Sequence, residues 1–194
     1  MVKITLIILT FFYSFDNPLE TANNYTKQLN DTIYNELLYI SIKNQKLFHI
    51  KDEKIIKKYS ISSSEKGVGN KINSNKTPLG LHSVKEKHGH KTPIYGKMVG
   101  RVFNGEIVKI YNNKQRSKTD DITTRILWLT GEEENFNKNR DVDSFNRYIY
   151  IHGTSEEGRI GIPSSHGCIR MKNIEILELF NKIKVGTKVL ILDN

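Results

Sequence analysis

The chain has 194 residues, of which 37 % are hydrophobic and 26 % charged, and its formal net charge is +9. This length suits one domain with a substantial core, and the composition favours a folded protein over a disordered one. The excess of positive charge favours polyanionic surroundings, such as nucleic acid, an anionic membrane surface or an acidic cell wall, without choosing among them.

The N-terminal residues have the pattern of an export signal. Lys3 precedes an apolar run over residues 4–15, which is shorter than the roughly 20 residues of a membrane span and fits the apolar region of a signal peptide. We therefore expect residues 1–22 to be a signal peptide or N-terminal anchor, with a buried strand as the alternative. Residues 23–36 are expected to be a polar connector in which a short helix fits. The protein is accordingly predicted to be exported to the periplasm or cell wall, without an integral membrane span in its mature form.

Short β-type runs dominate the rest of the chain. They are separated by turn signals, and the first contains a hairpin signal at Asn44 and Gln45. The predicted strands cover residues 37–50 (two strands), 54–62, 81–84, 105–111, 124–129, 147–153 and 188–192. The Gly-, Asn- and Ser-rich segment 63–80 and the acidic segment 131–146 are predicted to be surface loops.

The C-terminal part contains the predicted helix, over residues 173–183. Apolar residues recur near helical spacing at Ile174, Leu177, Phe180 and Ile183. Asn173 is the predicted N-cap. The sequence therefore predicts a mostly β (α+β) domain of the sandwich or barrel type, with one helix near the C-terminus.

The single cysteine, Cys168, lies in the segment SSHGCIRM. A thiol attacks as the thiolate, so a nucleophilic cysteine needs a base, a cation or backbone N–H groups nearby. His152, sixteen residues earlier, ends a predicted strand in which alternation places it on one face with Tyr148 and Tyr150. Glycines between His152 and Cys168 allow the chain to return. The alternative for Cys168 is a buried structural thiol.

Gly167, directly before the cysteine, lets the backbone turn tightly and approach a substrate. The N–H groups of residues 166–168 would then point at a carbonyl oxygen that becomes an oxyanion. Nucleophile, base and oxyanion donors together indicate an acyl-transfer site.

These residues resemble the motif of the L,D-transpeptidase catalytic (YkuD-like) domain family. The family pattern is a histidine, a spacer, Ser/Thr-His-Gly-Cys, a hydrophobic residue, an arginine and often an asparagine. Here the matching residues are His152, the segment 165–170 and Asn173. The sequence KTPLG at 76–80 resembles the family's upstream Thr-Pro-x-Gly turn. The likeness covers about residues 37–192 and implies a YkuD-like fold.

The resemblance implies a mechanism on peptidoglycan stem peptides. Cys168 attacks the carbonyl of the third stem residue, D-Ala leaves, and a thioester forms. An amine of a second stem then gives a 3→3 cross-link, whereas water would give L,D-carboxypeptidase action. His152 is implied as general base and acid, oriented by the carbonyl of Gly153. No metal or cofactor is implied, and the expected partners are donor and acceptor stems rather than nucleic acid.

Four further site residues are implied by the same resemblance. His166 and Gly167 would shape the site or the oxyanion hole, and Arg170 and Ser165 would contact substrate. Each of the three polar residues has a structural alternative. His166 would hold the loop by hydrogen bonds, Ser165 would cap the turn, and Arg170 would be a surface ion-pair partner.

Two other classes of function remain open at this point. A zinc hydrolase would use His152, His166 and Cys168 as ligands, although no carboxylate base accompanies the histidines. The histidines of the segment 88–90 are a weaker metal signal. A non-catalytic wall- or nucleic-acid-binding module would use the positive charge, although the basic residues are scattered.

Overall fold

The computed structural model describes residues 17–194, and most of the predicted export signal, residues 1–16, lies outside them. The described part contains ten strands and two α-helices. In chain order they are α1 (Pro18–Asn30), β1 (Glu36–Ser41), β2 (Lys46–Lys51), β3 (Lys54–Ser60), β4 (Gly80–His88), β5 (Gly96–Val99), β6 (Val102–Ile107), β7 (Ile122–Gly131), β8 (Tyr150–Thr154), β9 (Ile169–Met171), α2 (Asn173–Lys182) and β10 (Lys188–Leu192). None of the helices in this part is long and apolar enough to cross a membrane.

The strands form one branched sheet, so the predicted mostly β fold with a helix near the C-terminus is confirmed. Its main path runs β3-β2-β1-β10-β4-β7-β5-β6, and β8 and β9 extend from β7. The pairs β1–β10 and β8–β9 are parallel, and the other pairs are antiparallel. Strand β10 reads as a continuous apolar run because both of its faces are covered: Val189 and Ile191 enter one core and Leu190 another.

The main core lies between one face of the sheet and helix α2. Leu38, Val84, Leu127 and Ile151 represent the strands in it. A second core lies on the opposite face, where Ala22 of α1 packs with residues of β1, β2, β4 and β10. The two cores bury the central strands on both sides.

The buried face of α2 differs from the predicted one. Ile174 is 61 % exposed, and Leu177 is half-buried. The buried residues are Ile176, Leu179, Phe180 and Ile183. Their i, i+3, i+4, i+7 spacing keeps them on one side, whereas every third residue drifts around the helix. Asn173 is not the N-cap but the first helical residue, and Lys172 occupies the cap position.

Helix α1 covers the end of the predicted signal peptide or anchor and the first part of the predicted connector, residues 23–36. Its start is specified locally, because the side chain of Asn17 accepts from the N–H of Leu19 and Pro18 stands at the first helical position. The helix runs across residue 22, where the predicted signal peptide or anchor ends, and Ala22 is fully buried. The boundary at residue 22 remains a prediction.

Two short strands were not predicted from the sequence. β5 and β9 have four and three residues, which is too few for a pattern of alternation. The strand predicted over 105–111 instead belongs to β6, which ends at Ile107 and pairs with β5. The β5–β6 hairpin and the β8–β9 pair both lie beside the site described below.

Candidate active site

Parallel pairing of β8 with β9 brings the predicted base and nucleophile onto neighbouring strands. Ile151 lies opposite Ile169, and His152 lies opposite Arg170. The isoleucines enter the main core, so the alternate residues of both strands point to the other face. Cys168 directly precedes β9 on that face, and it is therefore a diagonal neighbour of His152.

The sulfur of Cys168 is held by the backbone of the segment that enters β8. The N–H of Tyr150 donates to Sγ over 3.4 Å, and the thiol donates to the carbonyl oxygen of Tyr148 over 3.3 Å. Tyr148 has a positive φ of 56°, which turns its carbonyl out of the regular strand. The nucleophile thus has a fixed position before any substrate arrives.

The imidazole of His152 is buried, with 2 % exposure. Its Nδ1 lies 2.7 Å from the carbonyl oxygen of Gly153. Because a carbonyl only accepts, Nδ1 carries the hydrogen and Nε2 is left as the acceptor. Burial lowers the pKa of His152, although Asp120 and the Gly153 carbonyl act in the opposite direction. The ring is therefore neutral at pH 7 and able to take a proton.

Position 153 has no room for a side chain, because polar atoms of Asn173 and Thr123 lie close to the backbone of Gly153. A Cβ at this position would lie 2.6 Å from Oδ1 of Asn173 and 2.7 Å from the carbonyl oxygen of Thr123. Oδ1 of Asn173 accepts from the hydroxyls of Thr123 and Thr124, each over 2.6 Å, and its Nδ2 donates to the carbonyl of Thr154 over 2.8 Å. Asn173 therefore ties α2 to β7 and β8 at the level of His152.

Burial raises the pKa of the Cys168 thiol to about 12, despite the N–H of Tyr150 and the cation of Arg170, which lower it. The resting pair is consequently a thiol and a neutral imidazole of His152. Such a pair is chemically competent only if the proton moves to His152 as the sulfur attacks.

The turn before the nucleophile is closed by its own side chains and by the segment 76–80. Ser165 is fully buried, and its Oγ donates to the carbonyl of Cys168 over 2.6 Å and accepts from the N–H of Gly167 over 3.2 Å. Oγ1 of Thr77 donates to the carbonyl of Gly167 over 3.0 Å. The N–H of Gly167 already donates to Ser165. Of the three predicted oxyanion donors, the backbone N–H groups of His166 and Cys168 therefore remain.

Arg170 lies beneath the site, with 2 % exposure. Its Nη1 is 2.9 Å from Oε2 of Glu156, and its Nη2 is 2.5 Å from Oδ1 of Asp120. Oδ2 of Asp120 lies 2.8 Å from Nδ1 of His166, whose side chain is 58 % exposed. Burial alone would raise the pKa of Asp120, but Arg170 and the neighbouring histidines hold it below its usual value. This network argues that Arg170 and Ser165 position the turn rather than contact substrate.

Most of the chain matches a known protein family. The model of the L,D-transpeptidase catalytic domain (YkuD) matches residues 35–191. The chain belongs to this L,D-transpeptidase family. The match agrees with the limits of about 37–192 over which the sequence resembles the family.

Curated relatives of this L,D-transpeptidase domain match over shorter stretches. The putative L,D-transpeptidase YqjB of Bacillus subtilis is 54 % identical over 48 residues, which cover 25 % of this chain and 27 % of that protein. The probable L,D-transpeptidase YbiS of Escherichia coli K12 is 47 % identical over 47 residues, 24 % of this chain and 15 % of that protein. The putative L,D-transpeptidase YkuD of Bacillus licheniformis is 34 % identical over 99 residues, 45 % of this chain and 60 % of that protein. The matches thus span less than two thirds of each relative.

Solved structures show the same fold at low sequence identity. The L,D-transpeptidase (residues 123–326) of Xylanimonas cellulosilytica superposes with a TM-score of 0.52 at 17 % identity, over 83 % of this chain and 62 % of that one. An L,D-transpeptidase of Mycobacterium smegmatis has a TM-score of 0.51 at 13 % identity, over 81 % and 58 % of the two chains.

An aromatic cluster, missed by the sequence analysis, lies beside Cys168 in the candidate site. The ring of Trp128 stacks on Phe145 at 4.0 Å between centroids and meets Tyr150 edge-on at 5.5 Å. The guanidinium of Arg101, in the β5–β6 turn, lies 4.5 Å from the Trp128 ring, and its Nη1 lies 3.3 Å from the Tyr150 hydroxyl. The hairpin is thereby tied to the wall that holds the sulfur.

Asp120 and Glu156 were also missed by the sequence analysis. Both are common residue types in polar segments, and their partner Arg170 is 50 and 14 residues away in the chain. The one sequence signal for Asp120 is its place in an acidic doublet with Asp121, directly before β7.

The zinc alternative has no set of ligands in the part of the chain that the structure describes. Over residues 17–194, no three His, Cys, Asp or Glu side chains are grouped as a metal site. Among the proposed ligands, His152 bonds to the Gly153 carbonyl and His166 to Asp120. In the segment 88–90, His88 pairs with a glutamate and His90 packs against an aromatic ring.

Proposed function

We propose that this chain is a cysteine-dependent L,D-transpeptidase that acts on peptidoglycan stem peptides through a thioester acyl-enzyme, forming 3→3 cross-links with release of D-Ala. One observation carries the proposal. Sγ of Cys168 is fixed by the N–H of Tyr150 beside the buried His152, whose Nδ1 is occupied by the Gly153 carbonyl. A nucleophile and a base with its tautomer fixed are what acyl transfer needs.

The first half-reaction begins from the neutral pair. Nε2 of His152 takes the thiol proton as Sγ of Cys168 attacks the carbonyl carbon of the third stem residue. The N–H groups of His166 and Cys168 support the negative charge on the carbonyl oxygen. The C–N bond to D-Ala then breaks, and His152 returns the proton to the leaving amine.

The second half-reaction transfers the acyl group to an amine of a second stem. The thioester C–S bond breaks and the thiol is regenerated. Water at the same position would release the stem as a tripeptide, which is L,D-carboxypeptidase action. Neither route requires a cofactor. Export to the periplasm or wall would bring the +9 protein to a polyanionic surface that attracts it.

The test is product analysis with the full chain and a purified disaccharide-tetrapeptide, read by mass spectrometry. Wild type should give a dimer that lacks one D-Ala, and Cys168→Ala and His152→Ala should not. His88→Ala is the matched control, since His88 is a half-exposed histidine paired with Glu86, and it should retain activity.

Other products separate the alternatives. A monomeric tripeptide from wild type alone would indicate carboxypeptidase action at the same cysteine. Neither product nor acyl-enzyme from wild type would overturn the proposal and favour a non-catalytic wall-binding module. Loss of activity on chelation, restored by added zinc, would favour a zinc enzyme.

A further inference from the structure

Asp120 joins the residues on both sides of the nucleophile. Its Oδ2 lies 2.8 Å from Nδ1 of His166, two residues before Cys168, and its Oδ1 lies 2.5 Å from Nη2 of Arg170, two residues after it. One carboxylate therefore fixes both arms of the turn that carries the sulfur. Asp120 lies two residues before the start of β7.

The contact with Asp120 also fixes the hydrogen on the His166 ring. An ionised carboxylate can only accept, so Nδ1 carries the hydrogen and Nε2 of the neutral ring keeps a lone pair. The His166 side chain is 58 % exposed. It borders two cavities, one of about 90 Å³ lined by residues 116–120 and one of about 220 Å³ lined in part by residues 146–149. Tyr148, whose carbonyl oxygen accepts from the Cys168 thiol, lines the second cavity together with His166. The ring that carries the lone pair therefore borders the same cavity as the backbone that holds the sulfur.

The two imidazoles of the site occupy different positions. His152 is 2 % exposed and is the diagonal neighbour of Cys168 across the β8–β9 pair, where it serves the first half-reaction. The leaving amine carries away the proton that His152 received. The incoming acceptor has to come from solvent, and of the two imidazoles only that of His166 is exposed to it.

We propose that His166 is the base of the second half-reaction and that Asp120 is the positioning residue that gives it the required tautomer. The proposal rests on the proposed function. It assigns to His166 a catalytic role in addition to the shaping of the turn.

The acceptor nitrogen attacks the thioester carbonyl carbon, and one N–H proton passes to Nε2 of His166. The C–S bond then breaks, and the sulfur of Cys168 leaves with the electron pair. The proton returns from His166 to the sulfur through solvent, which restores the thiol. With water as acceptor the same transfers give a carboxylic acid.

Asp120→Asn tests the proposal with a side chain of the same size. Arg170 can only donate, and it lies 2.5 Å from Oδ1, so it retains the amide oxygen. The amide NH₂ then faces Nδ1 of His166, which has to accept, and the ring hydrogen moves to Nε2. The lone pair on Nε2 of His166 is lost. Asp121→Asn is the matched control, because Asp121 pairs with Lys97 over 2.9 Å.

The first readout is the tautomer of His166, measured from the ¹⁵N chemical shifts of histidine-labelled full-length protein. Wild type and Asp121→Asn should carry the hydrogen on Nδ1, and Asp120→Asn should carry it on Nε2. This measurement needs no substrate. A wild-type ring with its hydrogen on Nε2 would overturn the proposal even if the variant failed to fold.

The second readout separates the half-reactions by intact-protein mass. Acyl-enzyme is formed from the donor tetrapeptide alone, and acceptor is then added. Asp120→Asn and His166→Gln should form acyl-enzyme but transfer it about a hundredfold more slowly, the lower end of the contribution of a general base. Equal slowing of both half-reactions would overturn the role of Asp120 and His166. Absence of any acyl-enzyme in wild type would instead overturn the proposed function.

Discussion

The hydroxyl of Thr77 donates to the carbonyl oxygen of Gly167 over 3.0 Å, although 90 residues separate the two in the chain. Oγ1 of Thr77 also accepts from the N–H of Ser64 over 3.0 Å, and Thr77 is fully buried. Gly167 has a φ of +128°, a conformation that favours glycine, and it directly precedes Cys168. The position of the nucleophile is thus held from the KTPLG segment.

Thr77→Val should therefore weaken both the fold and the site. The valine has a similar shape but leaves the N–H of Ser64 and the carbonyl of Gly167 without their buried partner. The free energy of unfolding should fall by about 2–4 kcal/mol, measured by urea denaturation. Thr77→Ser keeps the hydroxyl and should lose much less. Equal losses for the two variants would show that the hydrogen bonds are unimportant.

Gly153→Ala should displace β8 at the catalytic base. The new Cβ would lie 2.6 Å from Asn173 Oδ1 and 2.7 Å from the Thr123 carbonyl oxygen, so backbone has to move. We expect about 1–3 kcal/mol of destabilisation and slower acylation, measured by thermal unfolding and intact mass. Gly69→Ala is the control, since its Cβ meets the flexible side chain of Lys76. Normal acylation by Gly153→Ala would contradict the packing argument.

The thiol of Cys168 should be alkylated slowly at neutral pH. Burial raises its pKa from 9.0 to about 12, so the thiolate fraction grows about tenfold for each pH unit below that value. The rate of iodoacetamide modification should rise without a plateau up to about pH 11. Stability should fall above pH 9, because the unfolded chain then loses this proton before the folded one. A plateau near neutral pH would indicate a thiolate–imidazolium pair instead.

His82 should make the protein less stable in mild acid. Its ring is fully buried, with Nδ1 2.9 Å from the Gly80 carbonyl oxygen and Nε2 2.9 Å from Oγ of Ser144. Burial lowers its pKa from 6.5 to about 4. Below pH 6.5 the unfolded chain binds a proton that the folded chain excludes, so up to about 3 kcal/mol is lost as pH falls to 4.

Urea denaturation at several pH values between 7 and 4 measures this loss. His82→Gln should be less stable than wild type at neutral pH but should show a shallower decline toward acid. An unchanged slope in the variant would assign the acid sensitivity to other groups.

The motif residues could be predicted from the sequence because they lie close together in the chain. His152 and Cys168 are sixteen residues apart. The alternation that predicts His152 and Ile151 on opposite faces of one strand is the alternation found in β8. Most strands and helix α2 could be located from periodicity. The strands β5 and β9 could not, since their few residues carry no pattern.

The supporting network could not be predicted for a different reason. Asp120 reaches His166 and Arg170 only because the loop before β7 folds over the turn, and no local pattern specifies that path. Asn173 has a residue type suited to a cap, yet its side chain bonds to Thr123 and Thr124. The role of Asn173 depends on which strands lie next to the start of α2. The local sequence around a helix start does not contain that information.

Strand β10 lies between β1 and β4, near the centre of the sheet. Strands β1 to β3 leave the ribosome first and can pair with one another, but β1 keeps an open edge until residues 188–192 have been made. The two parts of the sheet are joined through those five residues. The sheet of this domain therefore cannot be completed until its last strand has been synthesised.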